Sequence, residues 1–304
     1  MNLKVLKQQY GITAKNVTSL RSNVAVIETE HNQKSIIKRI RNSKWSNWLN
    51  KHRFYNELRI YKTINAHQFK HLNAPALIEA GDRYMILQFV EKDPENKTKT
   101  KEFLHAYYEM QTLKVPTDFW FDFKNQLVRG FLYKGVIVPL LTLTRHLKIT
   151  TVARMIFLFL SMQWKSKKLK NGYWLHGDLT MQNIYHNKED GKLYFLDFEN
   201  LFYTRKWPLI EVVQKCYWLK CGGYGFHVDT KVLYQYLNIT KSGSPELGQL
   251  SLKDQFRFSI LMNSISNIAI AKSKIKRDTY IMLLNIILNK KSFDNWYRSN
   301  VVEQ

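Results

Sequence analysis

The feature that most constrains this chain is a compact polar run between residues 174 and 199, WLHGDLTMQNIYHNKEDGKLYFLDFE. His176 and Asp178 flank a glycine, and Asn183 follows five residues after Asp178. A short strand at 184–186 is expected to leave this loop. A polar turn at 187–191 then returns the chain through a second strand, 192–196, that ends on Asp197. The hairpin sets a carboxylate and a carboxamide on one loop, with a second carboxylate at the end of the adjoining strand. Phosphoryl transfer needs these groups. One carboxylate orients an attacking hydroxyl and takes its proton, and an Asn with an Asp holds Mg²⁺ on phosphate oxygens. A hard cation that also binds several phosphate oxygens needs only one or two protein carboxylates, so this sparse donor set is sufficient.

HGDLTMQNI followed by LDFE resembles the catalytic and metal-binding loops of the protein-kinase-like superfamily, and is most similar to its aminoglycoside, choline and lipopolysaccharide-sugar kinase branch. The HGDLT segment also resembles the small atypical kinase of the tRNA threonylcarbamoyl-adenosine system. The resemblance implies Asp178 as catalytic base and Asn183 and Asp197 as Mg²⁺ ligands. It implies a bracing role for His176.

The N-terminal third matches the same expectation. Two β-branched runs at 17–19 and 24–28, a polar turn at 31–34 and a third run at 35–40 predict a three-stranded antiparallel meander. The stretch Ser35-Ile36-Ile37-Lys38 resembles the family's V-A-I-K strand, which implies Lys38 as the lysine on the nucleotide phosphates. A helix is expected over 53–64, with Phe54, Leu58, Tyr61 and Ile64 on its apolar face. Glu57 lies on the flank of that face, where an ion pair with Lys38 is feasible; a surface lysine and a surface glutamate are the plainer alternative. Pro75 and Gly81-Asp82 punctuate a loop, and 84–90 reads as a buried strand leading to an interlobe hinge. There the main chain of Gln88–Val90 would bond the adenine.

Two departures stand out. No glycine lies between Ile12 and Ala80, so the usual glycine-rich loop over the phosphates is missing. Its place falls to Leu20–Asn23, where Arg21, Ser22 and Asn23 are candidate phosphate contacts, although close backbone approach is harder without glycine. Glu199 also stands where protein kinases carry a glycine after their Asp-Phe pair, a change that points to the small-molecule branch.

Only ten residues separate Asp197 from Pro208, where a new helix is expected. That is short for a peptide-docking segment and favours a small or glycan-like acceptor. The polar run 91–101 reads as a connection. The stretch from there to Gly177 leaves room for an acceptor-shaping insertion, with Phe119, Trp120, Phe121 and Phe123 as sugar-stacking walls or as ordinary core. Further helices are expected over 150–168, 209–219, 252–272 and 278–288. The fold class is therefore α+β, with a bilobal protein-kinase-like fold. A small β-sheet lobe with one helix (1–90) would bind nucleotide. A larger, mainly helical lobe (91–304) would hold the catalytic loop, the metal site and the acceptor insertion.

Composition narrows the partners. The 304 residues carry 47 Lys and Arg against 24 Asp and Glu, a net charge of +23, while a 45% apolar fraction excludes disorder as the main state. Cys216 and Cys221 alone make neither a disulfide framework nor a zinc site, and suit reduced thiols in a cytoplasmic setting. No run reaches the roughly 18–20 apolar residues of a spanning helix, and the N-terminus shows no secretory signal pattern. The charge is clustered. Residues 31–56 hold seven Lys/Arg and residues 123–177 ten, neither with an acid, and both carry tryptophan. Trp45 and Trp48 stand beside Lys44 and Lys51, and Trp164 beside Lys165, Lys167, Lys168 and Lys170. An anionic lipid surface fits these stretches, as does a nucleic-acid backbone or a plainly solvated face.

The leading expectation is an ATP- and Mg²⁺-dependent kinase acting on a hydroxyl of an anionic sugar or glycolipid. A lipopolysaccharide-core sugar at the cytoplasmic face of the inner membrane is the example. The alternative is an atypical protein kinase or RNA-associated ATPase that uses its basic surface on tRNA.

Overall fold

The computed structural model describes residues 8, 11–40, 47–115, 133–180, 182–219, 226–271 and 273–302. The three expected N-terminal strands form as β1 (Asn16–Arg21), β2 (Val24–Glu28) and β3 (Lys34–Arg39), followed by helix α1 (Asn47–Asn65), β4 (Leu77–Ala80) and β5 (Tyr84–Gln88). The strands make one antiparallel sheet in the order β1-β2-β3-β5-β4. Alternation along each strand divides its faces. Ala25, Ile27, Ile37 and Ile86 pack together on one side. Val24, Ile36, Lys38 and Leu87 turn to the other and line a cavity.

The helix α1 extends six residues beyond the expected start, because nothing in Asn47–His52 breaks a helix although the apolar face begins only at Phe54. Phe54, Glu57, Leu58, Tyr61 and Ile64 are all buried. The strand β4 occupies part of what reads as loop. It is a short, mostly exposed edge strand with a register shift between Leu77 and Glu79, so no alternation of apolar residues announces it.

After the polar connection comes α2 (Thr100–Gln111), which buries Leu104, Ala106, Tyr107 and Met110. It packs on the hairpin of β7 (Ile184–His186) and β8 (Leu193–Phe195), where Phe103 stacks on Phe195 with ring centroids 6.1 Å apart. Glu109 of α2 accepts hydrogen bonds from the main-chain N–H groups of His71 and Leu72, at 2.9 and 2.7 Å. The described residues up to 115 and His176–Leu201 form one compact unit. In this unit α2 and the β7–β8 hairpin join the N-terminal sheet and α1.

The second compact unit holds the described residues of 133–175 and those from Phe202 onward. It contains α3 (Val138–Thr142), α4 (Ile149–Lys165) and β6 (Tyr173–Leu175), which pairs with β9 (Phe202–Thr204). Beyond β9 lie α5 (Ile210–Lys215), the hairpin β10 (Tyr217–Leu219) and β11 (Phe226–Val228), α6 (Lys231–Thr240), α7 (Leu252–Ile270), α8 (Lys274–Leu288) and α9 (Lys290–Tyr297). Where one helix was expected over 209–219, α5 spans only six residues and gives way to β10, in keeping with the aromatic run Tyr217-Trp218. Trp207 stacks on Phe258 at 4.0 Å in this core. Cys216 is a buried free thiol whose pKa burial pushes up to about 12. Phe119, Trp120, Phe121 and Phe123, the Lys44-Trp45 pair and Cys221 lie outside the described residues, as does the side chain of Trp48.

Candidate active site

The site builds on β3. Alternation turns Lys38 to the cavity face, and α1 brings Glu57 to it: Lys38 Nζ lies 2.6 Å from Glu57 Oε1. The same ammonium lies 2.8 Å from Asp197 Oδ1, just past the β7–β8 hairpin. One cation thus stands between two carboxylates, with the Lys38 and Glu57 side chains only 13% and 4% exposed. Burial alone would lower the pKa of the Lys38 ammonium, but Glu57 and Asp197 outweigh it and hold the lysine protonated. Burial pushes the Glu57 carboxyl up to about 7 against the pull of Lys38, and the charge of Asp197 adds to that rise. For Asp197 the upward push of burial is overcome by Lys38, which keeps the carboxyl below its ordinary value.

The backbone at Asp197 is left-handed, with φ 59° and ψ 60°. For a non-glycine residue this is a costly geometry that concentrates at functional positions. A 3₁₀ turn, Phe198–Asn200, follows directly. Phe198 packs edge-on against Tyr61 of α1 at 5.3 Å, and Arg53 of α1 reaches Glu199 at 3.2 Å. The helix that carries Glu57 is thereby fastened to the loop that carries Asp197.

Asp178 and Asn183 form the other half. Asn183 Nδ2 donates to Asp178 Oδ2 at 3.1 Å and to the Asp178 main-chain carbonyl at 2.9 Å. That leaves the Asn183 carboxamide oxygen as its donor atom for a cation. The main-chain N–H of Leu196 donates to the Asn183 carbonyl at 2.8 Å and ties the loop to the strand before Asp197. His176, fully buried, makes a 3.0 Å hydrogen bond with the Leu196 carbonyl and lies 5.4 Å from the Phe198 ring. Gly177 has φ +80°, and a Cβ there would run into the main-chain carbonyl oxygen of Asn200.

The cavity, about 360 Å³, is lined by Lys38, Glu57, Asn183 and Asp197 together with Gln88 and Val90. Asp178 is half-buried on the adjoining loop and is not among the lining residues. The Gln88 N–H is committed to the Ala76 carbonyl at 2.9 Å, and the Val90 carbonyl accepts from the Tyr185 hydroxyl at 3.2 Å. Leu20, Arg21 and Asn23, at the glycine-free β1–β2 turn, also line the cavity. That turn is pinned from β3, where Arg39 donates to the Ser22 carbonyl from its guanidinium and to the Asn23 carbonyl from its main chain, both at 2.9 Å.

Among the described residues no cluster of three or more His, Cys, Asp or Glu side chains could hold a metal ion by itself. The donor set is instead one carboxylate and one carboxamide oxygen, which fits a small hard cation that completes its shell with phosphate oxygens and water. Three features of the site escape a reading of motifs: the need for glycine at 177, the partnership of Arg53 with Glu199, and the Tyr185 hydroxyl beneath Val90. Only Gly177 carries a local signal, since a glycine between two chemically demanding residues marks a close backbone approach.

No protein-family model and no curated protein sequence matches the chain. Solved structures do. A protein from Haemophilus somnus 129PT assigned as a fructosamine-3-kinase is similar with a TM-score of 0.60 at 13% identity, over 94% of this chain and 96% of that one. An ethanolamine kinase from Plasmodium vivax gives 0.60 at 11% identity, over 98% and 88%. APH(2″)-IIa, in a ternary complex with streptomycin and ATP, gives 0.56 at 13% identity, over 93% and 94%. At these identities the likeness is one of fold: a protein-kinase-like architecture of the kind found in small-molecule kinases and phosphotransferases.

Proposed function

We propose that the chain is an ATP-dependent phosphotransferase that phosphorylates a hydroxyl of a sugar or glycolipid, of the lipopolysaccharide-core kind, at an anionic membrane surface on the cytoplasmic side. One observation carries the phosphotransfer half: Lys38 Nζ sits between Glu57 and Asp197 in a cavity that Asn183 also lines. In this reading Lys38, braced by Glu57, bonds the nucleotide phosphates. The Val90 N–H faces the adenine, and Arg21 and Asn23 cover the phosphates in place of glycine amides. Asn183 and Asp197 would hold Mg²⁺, which when bound neutralises charge on the phosphate oxygens.

Asp178 is the group that takes the proton of the attacking hydroxyl, and the bond from Asn183 to its Oδ2 fixes which oxygen stays free to do so. The division at Val90, with nucleotide bound before it and acceptor after it, belongs to the same proposal. The acceptor class is supported by the short passage from Asp197 to Pro208. It is also supported by the names of the fold neighbours, which act on fructosamine, ethanolamine or aminoglycosides as their descriptions state.

Incubation with ATP, Mg²⁺ and a panel of amino sugars, aminoglycosides, ethanolamine and lipopolysaccharide core oligosaccharide tests the reading, with product phosphate located by mass spectrometry. Transfer to a sugar hydroxyl is expected. ATP consumption without transfer to any hydroxyl compound, or transfer to protein serine alone, would overturn it.

A further inference from the structure

The helix α4, ITTVARMIFLFLSMQWK, is apolar on two faces, of which the described residues cover one. Val152, Met155, Phe159 and Met162 are buried, with Phe159 stacked 5.9 Å from Phe258 of α7. On the other face Ile149 is 73% exposed, Phe157 75%, Leu160 47% and Trp164 89%. With exposed Ala153 they are spaced by four, four, three and four residues. At 100° per residue they fall within an arc of about 80°, a stripe roughly 22 Å long. Single exposed apolar residues are ordinary on a soluble protein, whereas a continuous stripe marks an interaction surface.

Charge identifies the occupant. Arg154 and Lys165 lie on the same flank of the stripe by helical phase. Lys148 precedes the helix, and Lys167 and Lys168 follow it. All five are exposed, and none forms an ion pair with a carboxylate among the described residues. A nucleic-acid backbone would satisfy the cations but gives Ile149, Phe157 and Leu160 no apolar phase to enter. An anionic bilayer satisfies both, with headgroup phosphates for the cations and the acyl boundary for the stripe. Trp164, at the end of the stripe, is the residue type that settles at such an interface.

We propose that this face of α4 docks on an anionic lipid bilayer, lying in the plane of the interface. No described helix is long and apolar enough to cross a membrane, so attachment of this kind is peripheral. The inference rests on the proposed function for its purpose, since it gives the membrane half of that reading a place on the molecule.

Co-sedimentation with phosphatidylcholine vesicles, with and without phosphatidylglycerol, tests the proposal on the full chain. The ATP·Mg²⁺ thermal shift is read beside it. The wild type is expected to sediment with phosphatidylglycerol vesicles at low salt and far less with phosphatidylcholine alone. The Phe157→Ser/Trp164→Ser variant is expected to lose at least about tenfold in vesicle affinity with an unchanged ATP shift. Arg154→Gln/Lys165→Gln should lose about fivefold per charge removed, and only on anionic vesicles.

Equal vesicle binding by wild type and the serine variant would overturn the proposal. So would a wild type that ignores vesicles and binds tRNA, or a concentration-dependent dimer that the serine variant abolishes. A melting temperature lowered in the serine variant without vesicles would mean that another part of the chain covers the face, and overturns it equally. A protein that shifts with ATP but ignores vesicles removes the docking face and spares phosphotransfer. Vesicle binding without an ATP shift does the reverse.

Discussion

Lys38 and Asp197, 159 residues apart in sequence, meet at 2.8 Å, and the ammonium that joins them is shared with Glu57 at 2.6 Å. This contact fastens the sheet to the residue that follows the β7–β8 hairpin. Replacing Lys38 with Ala removes the only positive charge of the trio and leaves two carboxylates facing each other. Breaking a buried pair from one side costs about 3–5 kcal/mol; Asp197, 23% exposed, recovers part of that from water, so a loss of about 1–3 kcal/mol is expected in urea unfolding. With Lys38 in its proposed place on the nucleotide phosphates, the kcat/KM for ATP should fall about 100-fold or more.

The same contact sets an acid limit. The folded pKa of Asp197 lies below its unfolded value, so in acid the unfolded chain binds more protons at this site and stability rises with pH. The contribution of Asp197 is complete above about pH 5 and is lost as pH falls through the lowered folded value. Urea unfolding from neutral pH downward should show Asp197→Asn with a flatter acid limb than the wild type. Parallel limbs would mean that Lys38 does not depress this carboxyl.

Gly177 tests the packing between the His176–Asp178 loop and the turn after Asp197. Its φ of +80° disfavours any side chain, and the Asn200 carbonyl fills the space that a Cβ needs. Gly177→Ala is expected to destabilise by at least about 1–3 kcal/mol and to lower turnover by displacing Asp178. Unfolding and steady-state kinetics together check this.

Arg53 and Glu199 are each about 30% exposed, so their bond should contribute less than about 1 kcal/mol to stability. Its importance is positional, because it ties α1 to the turn after Asp197. A double-mutant cycle with Arg53→Ala and Glu199→Gln is expected to show near-zero coupling in unfolding and clear coupling in kcat/KM for ATP.

The candidate residues could be picked out because each sits in a short pattern. Asp178, Asn183 and Asp197 lie on a loop and hairpin whose strand alternation is visible. Lys38 sits on a β-branched strand, and Glu57 on the flank of an apolar helix face. The bonds of Lys38 bring it together with Glu57 and Asp197, and a separate bond joins Asn183 to Asp178, which stays outside the cavity lining. The edge strand β4 was not legible, since exposure on both faces leaves no alternation to read. The pairing of Arg53 with Glu199 spans 146 residues and depends on where two elements meet. Glu109, which captures two amides of the 71–72 turn, lies on a helix masked by the polar run before it. The basic stretches were visible as charge. That Lys38 and Arg53 are consumed by internal carboxylates, while Lys148, Arg154 and Lys165 form no ion pair among the described residues, is a property of the fold.

The central claim is that one carboxylate moves a proton while the Lys38–Asp197 pair holds the nucleotide. Asp178→Ala tests it most directly, with ATP·Mg²⁺ binding followed by thermal shift and transfer followed as ADP formed in the presence of a glycolipid extract. The expected result is an ATP shift like that of the wild type with transfer reduced by about 100-fold or more. Undiminished transfer by Asp178→Ala would contradict the account.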